Sequence, residues 1–459
     1  MALRAYLPEL LFFDGRFQRD LALIVEKSRI VSVGTVPPGA ERIPLPGRAA
    51  LPGLVNAHSH AFQRAIRGTT EWRAPGHASD DFWTWREQMY AAAMALSPEG
   101  LHAVSRMCFL EMALSGITTV GEFHYLHRDP QGQSYANANE LAEQVIAAAG
   151  EVGIRIALLR VAYARSGFGT PPNPRQVRFI DPDVETYLAH ADALHARFRG
   201  PEAWVGAAPH SVRAVPAEWI RAIGAHARTA GWKLHMHVAE QPKEVRDCQS
   251  EHGQTPVALL ETAGVLDANF TAVHAVHLDA RDRALLSAAR AIICACPTTE
   301  RNLGDGIVDP TVTFTALGSD SQTQIDLLED ARELEYHLRL QQLERAVLAP
   351  RDGTGGRSAL AARLLGCATI QGARSLGSGS GSLAPGESAD FFTVDLDDPS
   401  IAGASDADLL GSVVFSLART AVRDVVVSGR PIIEGGRHRQ QAEIVSAYRA
   451  TVRSLWEHA

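Results

Sequence analysis

Leu51-Pro-Gly-Leu-Val-Asn-Ala-His58-Ser-His60 is the stretch on which the reading of this chain turns. It reads as a short apolar strand ending in two histidines one residue apart. Side chains alternate faces along a strand, so His58 and His60 point the same way. Two imidazoles side by side at a strand end make half of a zinc site, because zinc takes three or four N, O or S ligands. Alone, His-x-His is a weak signal, usually explained by solvated or packed histidines. Its meaning depends on what the ends of other strands supply.

Outward from that stretch, apolar strand-like runs recur, each followed by a helical stretch. They are Leu51–His60, Ile117–Tyr125, Ile154–Tyr163, Trp204–His210, Lys233–Glu240, Phe270–His277, Ala291–Pro297 and Val312–Asp320. Ser97-Pro98-Glu99 marks a helix start, with a capping residue and proline at the first helical position. The helix it opens carries Leu101, Val104 and Cys108 at helical spacing and stops at Gly116. Eight strand–helix repeats are what a (β/α)8 TIM-type barrel requires. No Gly-x-Gly-x-x-Gly follows a strand, so a doubly wound dinucleotide fold gains little support.

The flanks are β-rich in a different style. Leu21–Gly34 near the start, and Ala389–Asp395 and Val422–Gly436 near the end, alternate apolar and polar residues, with Ser428-Gly429 as a turn. A small β-sandwich domain built from both termini is expected, from residues 1–48 and 379–440, around a barrel over 49–378, with a C-terminal helix over 441–459. Ser375–Ser382, rich in serine and glycine, reads as the linker back to the β domain. Phe168–Asp183 and the tryptophan-bearing Arg67–Trp85 read as loops over the barrel mouth.

A net charge of −8 offers no basic footprint for nucleic acid, and no apolar run approaches the ~18 residues of a membrane helix. The five cysteines form no Cys-x-x-Cys pair, and the N-terminus shows no signal-peptide pattern, so a soluble cytoplasmic protein is expected.

In a parallel barrel the reacting groups sit at the C-terminal ends of the strands. Strand five there offers His237 and, three residues on, Glu240; strand six offers His274; strand eight ends Gly-Ser-Asp320. Three histidines and one aspartate can hold one zinc and leave room for water, whose pKa the metal lowers to about 7. His235 reads as an inner-layer histidine. His277, three residues from His274, falls on the opposite face of a straight strand and reads as structural. Cys294 and Cys296 read as small apolar residues of a buried strand.

Pro52-Gly53-Leu-Val-Asn56-Ala-His58-Ser-His60, His237-x-x-Glu240, His274 and Gly-Ser-Asp320 resemble the amidohydrolase superfamily in its deaminase branch. The flanking β domain and Leu383-x-Pro-Gly-Glu-x-Ala-Asp390 resemble it too, so the likeness spans nearly the whole chain. The resemblance implies that His58, His60, His237 and Asp320 bind the metal. It implies that Glu240 shuttles a proton and that His274 contacts the attacking water or the developing oxyanion. Binuclear relatives bridge two metals with a carboxylated lysine after strand four. This chain has only three lysines (Lys27, Lys233 and Lys243), none near Gly206–His210, so one metal per chain is expected. Three histidines, one aspartate and hydrolytic chemistry favour Zn2+ over iron or manganese. A homodimer is the family expectation.

Other residues at the mouth speak to the substrate. Gln63, Arg86, Tyr125, His210 and Arg213 are the candidates, and two arginines suit a dicarboxylate, which guanidinium grips bidentately. Asn56–Arg64, Glu122–Tyr125 and Ala208–Arg213 most resemble the formimidoylglutamate deiminase family. That likeness implies hydrolysis of N-formimino-L-glutamate to N-formyl-L-glutamate and ammonia. A purine or S-adenosylhomocysteine-type aminohydrolase is the enzymatic alternative. A non-catalytic scaffold of the same fold is disfavoured, because every ligand position is filled.

Overall fold

The computed structural model describes residues 3–73 and 80–456, so the expected lid over Arg67–Trp85 is described except for 74–79, and the two chain ends except for 1–2 and 457–459. Eight parallel strands follow the expected order: Leu54–Ser59, Ile117–His124, Arg155–Ala162, Ala203–Pro209, Leu234–Val238, Phe270–His274, Ile292–Ala295 and Phe314–Leu317. Each pairs with the next. The first and last meet through a parallel bridge between Ser59 and Asp320, which closes the (β/α)8 barrel. Asn56 fastens the seam: its amide donates to Ser319 Oγ at 2.7 Å and accepts the Ser319 backbone N–H at 3.0 Å.

Helices form where their signals lie. Ser97 caps Pro98–Leu114 by accepting the Gly100 N–H at 3.0 Å. Gly116 then takes φ +87, a left-handed turn that suits glycine. His235 Nε2 sits 3.1 Å from the Ser375 carbonyl inside the barrel floor, as its inner-layer reading expects.

The opening stretch behaves differently from the single strand it suggests. Leu51 and Pro52 end the long strand Glu41–Pro52 of the other sheet, paired with Phe392 and Phe391. The barrel strand begins only at Leu54. Gly53 is the crossing point: a Cβ there would stand 2.3 Å from Thr118 Oγ1, so only glycine lets the chain pass between the sheets. Ser375–Ser382 is a linker only from Gly377 on. Ser375 and Leu376 end the helix Ile370–Leu376, and Ser375 is buried under the barrel, its hydroxyl 3.0 Å from Thr271 Oγ1.

Strands from both chain ends pair as one eight-stranded sheet. Arg4–Phe13, Ala22–Glu26, Arg29–Gly34 and Glu41–Pro52 join Phe391–Asp395, Val422–Val427 and Arg430–Ile433, with Arg16–Gln18 at the side. Ser428 and Gly429, both at positive φ, make the expected turn. The two sheets share one continuous apolar core, running from Phe109 and Leu158 in the barrel to Phe392 and Val425 in the terminal sheet.

Candidate metal centre and active site

Strands one, five and eight deliver four donors to one point. His58 Nε2 lies 3.2 Å from His60 Nε2, 3.2 Å from His237 Nε2 and 3.3 Å from Asp320 Oδ1. His60 Nε2 is 3.2 Å from the same Asp320 oxygen. A ring nitrogen has one proton or one lone pair to offer, so His58 Nε2 cannot satisfy three such neighbours by hydrogen bonding. Donors placed 2.0–2.1 Å from one tetrahedral zinc would stand about 3.3–3.4 Å apart, which is the spacing seen. His60 Nδ1 faces the Phe123 carbonyl at 2.9 Å, which puts its proton on Nδ1 and the Nε2 lone pair toward the cluster. Burial pushes His58 down to about 3 and His237 well below the usual histidine range, so both rings are neutral. Burial would raise Asp320, but His58, His60 and His274 outweigh it and hold the carboxyl ionised. The donor set fits a single divalent cation.

The backbone bends to aim these groups. Ala239, His274, Ala275 and Asp320 all take positive φ, uncommon for residues with a Cβ and concentrated here at strand ends. Beyond Ala239, Glu240 turns toward His274, with 3.8 Å between its Oε1 and His274 Nε2. Its other oxygen accepts Arg213 at 2.7 Å. His274 Nδ1 meets Glu300 Oε1 at 3.2 Å. Burial opposes a proton on His274, yet Glu300, Glu240 and Asp320 raise it well above the ordinary histidine value. His274, Cys296 and Glu300 also form a second buried trio of possible ligand atoms. The Glu300 contact with His274 accounts for two of them without an ion.

A cavity opens over the four donors. Gln63, Arg86, Tyr125, His210 and Arg213 all line it, with His60, His237, Glu240, His274 and Asp320; His58 is buried behind them. Gln63 donates to the Tyr125 hydroxyl at 2.8 Å. Burial and then Arg213 keep His210 neutral. The two arginines differ in a way their sequence context does not reveal. Arg213 is engaged by Glu240, and Glu244 Oε2 lies 3.5 Å from its Nε, while its NH1 is buried without a partner. Arg86 stacks 4.6 Å from the Trp83 ring, and among the described residues its Nε has no partner.

Several lining residues escaped the sequence reading, among them Phe82, Tyr90 and Tyr163. Tyr163 ends the third strand-like run, and that position was the one available signal. The segment after strand seven is the helix Pro297–Leu303, and Leu303 reaches the cavity. His277 is half-buried and bonds the Asp305 carbonyl at 2.9 Å, away from the donors, in keeping with its structural reading.

Fold and site together define a metal-dependent hydrolase of C–N bonds: residues 49–432 match the amidohydrolase family, and the chain belongs to it. It is 39% identical over 418 residues to formimidoylglutamate deiminase of Pseudomonas aeruginosa, covering 89% of each chain. It is 30% identical to 8-oxoguanine deaminase of the same organism, covering 94% of each. An amidohydrolase from Brucella melitensis has the same architecture, with a TM-score of 0.86 and 33% identity over 99% of this chain and all of that one. Among the described residues no helix is long and apolar enough to cross a membrane.

Proposed function

We propose that this protein hydrolyses N-formimino-L-glutamate to N-formyl-L-glutamate and ammonia, with one zinc held by His58, His60, His237 and Asp320. The carrying observation is the joining of that donor set to Glu240 and His274 under a cavity lined by Arg86, whose Nε has no partner among the described residues. The 39% likeness to a formimidoylglutamate deiminase supports the substrate, and the lower likeness to 8-oxoguanine deaminase makes a purine the second reading. When bound, the zinc supplies Lewis acidity and a water of lowered pKa.

The rest is done by side chains. Water adds to the formimino carbon, and the imino nitrogen leaves as ammonia. Asp320 Oδ2, 3.9 Å from His274 Nε2 and turned from the histidine cluster, takes the proton of the attacking water. Protonated His274 steadies the negative charge that grows on oxygen. Glu240, within reach of His274 and held by Arg213, takes the water's other proton and delivers it to the departing nitrogen. Asp320 returns its own to the same nitrogen as the C–N bond breaks, so both water protons leave with ammonia. Arg213 NH1 and Arg86 are the cationic donors left for substrate carboxylates.

An ammonia-release assay comparing formiminoglutamate, formiminoaspartate, guanine and adenosine is the direct test. Release from guanine or adenosine alone would replace this reading with the purine one. Metal analysis should give one zinc per chain. Arg213→Met should raise KM and also lower kcat at least ten-fold, because Glu240 loses its partner; an unchanged kcat would show that Arg213 serves binding alone. A homodimer in the cytoplasm is the matching assembly, tested by light scattering of the metal-loaded protein.

A further inference from the structure

Gln322 stands two residues past Asp320 and is fully buried. Its backbone takes φ +64 and that of Asp320 takes φ +46, so the chain leaves strand eight through two left-handed residues that are not glycine. Such residues are strained and persist only where their surroundings hold them.

The orientation of the Gln322 amide follows from a chain of bonds that begins at a backbone N–H. The Ser319 N–H donates to Asn56 Oδ1 at 3.0 Å, so it is the Asn56 nitrogen that faces Ser319 Oγ, at 2.7 Å. Ser319 Oγ accepts there and passes its own hydrogen to Gln322 Oε1 at 2.9 Å. Gln322 Nε2 is then the end aimed at the seam. It donates to the Asp320 carbonyl at 2.8 Å and to Ser59 Oγ at 2.9 Å. A flipped amide would set its oxygen against that carbonyl.

These contacts fall among the metal donors. Ser59 lies between His58 and His60 in strand one. The Asp320 carbonyl also accepts the His60 N–H at 3.0 Å, and the Asp320 N–H donates to the His58 carbonyl at 3.1 Å. One amide thus spans the bridge where strand eight meets strand one and adds a side-chain tie to its two backbone bonds. The Gln322 carbonyl is held in turn by Arg67 Nε, and Arg67 NH1 is fixed by both Glu111 oxygens at 2.8 and 2.9 Å.

We infer that Gln322 is a positioning residue of the metal centre. It sets the separation of strands one and eight at the depth of His58, His60 and Asp320, and so the affinity and geometry of the cation they hold. The role rests on the donor set proposed above. Glutamine suits it because one oxygen accepts while one nitrogen donates twice. Asparagine is one methylene shorter, and methionine keeps the length without the amide.

The test reads zinc affinity of the full chain by competition with a coloured chelator, the visible spectrum of the Co2+ form, and melts of metal-free and zinc-loaded protein. Gln322→Met should lower zinc affinity by roughly ten- to a hundred-fold, the range for groups that orient metal ligands. The rise in melting temperature that zinc produces should shrink with it. Gln322→Asn should fall between Gln322→Met and the wild type, and both should shift the Co2+ spectrum. Asp390→Ala, which loses the carboxylate bonded to Arg155 at the other end of the barrel, is the control. It should lower both melts equally and leave zinc affinity and the Co2+ spectrum as in the wild type. Wild-type zinc affinity with an unchanged Co2+ spectrum in the Gln322 variants would make Gln322 a buttress of the seam alone and overturn the role. If Gln322→Met does not fold, Gln322→Asn decides by the same readouts. Wild-type protein that binds no zinc sinks the donor set itself, and the role of Gln322 with it.

Discussion

Asp305 carries its chemistry out of sight of the sequence. In Gly304-Asp305-Gly306 it looks like a solvated turn residue. Instead it is buried, bonded by the Gln241 amide, with Oδ2 unpartnered. Burial and then the nearby Glu240 push its carboxyl up to about 8. The folded protein therefore keeps a proton there that the unfolded chain loses near pH 4. Stability from this group is complete below about pH 4 and drains away as pH rises to about 8, on the order of 5 kcal/mol in all. Asp305→Asn keeps the acceptor for Gln241 and removes the titration. Its melting temperature should gain on the wild type steadily between pH 4 and pH 8 and stay level above. A difference that does not vary with pH would show that Asp305 is ionised in the folded state. The four clustered side chains His58, His60, His237 and Asp320 were legible for the opposite reason: histidines and acids at strand ends are rare enough to stand out, whereas Tyr90 and Glu244 sit on helices among residues of ordinary composition.

At the level of elements, the eight barrel strands were readable because each is a short apolar run set off by helix signals. What could not be read was where a run changes sheets. Nothing in Leu51–His60 says that its first two residues pair with Phe391 and Phe392, some 340 residues along the chain, because that pairing is non-local. Glycines at the closest approaches are the physical trace of such crossings. Gly318 is one: a Cβ there would stand 2.7 Å from His58 Cβ, 2.9 Å from the His58 carbonyl and 3.1 Å from Cys294 Sγ. Strand eight can lie against strand one, and bring Asp320 to His58, only without that methyl. Gly318→Ala should displace the last strand, cost about 1–3 kcal/mol or more, and lower zinc content. Gly150, inside the helix Glu140–Val152 with nothing within 4 Å of its would-be Cβ, is the control. Gly150→Ala should leave metal content unchanged and stabilise by up to about 1 kcal/mol. Thermal melts with metal analysis read both, and full zinc occupancy in Gly318→Ala would show that the seam yields without moving the ligands.

For the molecule as a whole, a buried ion pair adds to the shared core in tying the two sheets together, at the barrel end opposite the four clustered donors. Arg155, at the start of the third barrel strand, donates to Asp390 Oδ2 at 2.7 Å, to the Pro201 carbonyl at 2.8 Å and to the Ser378 carbonyl at 2.5 Å. Asp390 in turn accepts the Ser428 N–H at 2.6 Å and the Ser388 hydroxyl at 3.0 Å, and its carbonyl takes the Gly53 N–H at 3.0 Å. Replacing such a pair with apolar groups can be neutral, but removing one partner strands the other charge, at about 3–5 kcal/mol. Asp390→Ala should therefore lower the melting temperature by a few degrees for a chain of this size. Zinc content and kcat at 25 °C should be unchanged, because the donors are held by the strands' other ends. Since one apolar core spans both sheets, the variant should still unfold in a single calorimetric transition. Two separated transitions would mean that the ion pair, rather than the shared core, couples the sheets. Loss of zinc at 25 °C would mean that the terminal sheet sets the spacing of His58 and His60 through Gly53, and then the metal centre would depend on both ends of the chain.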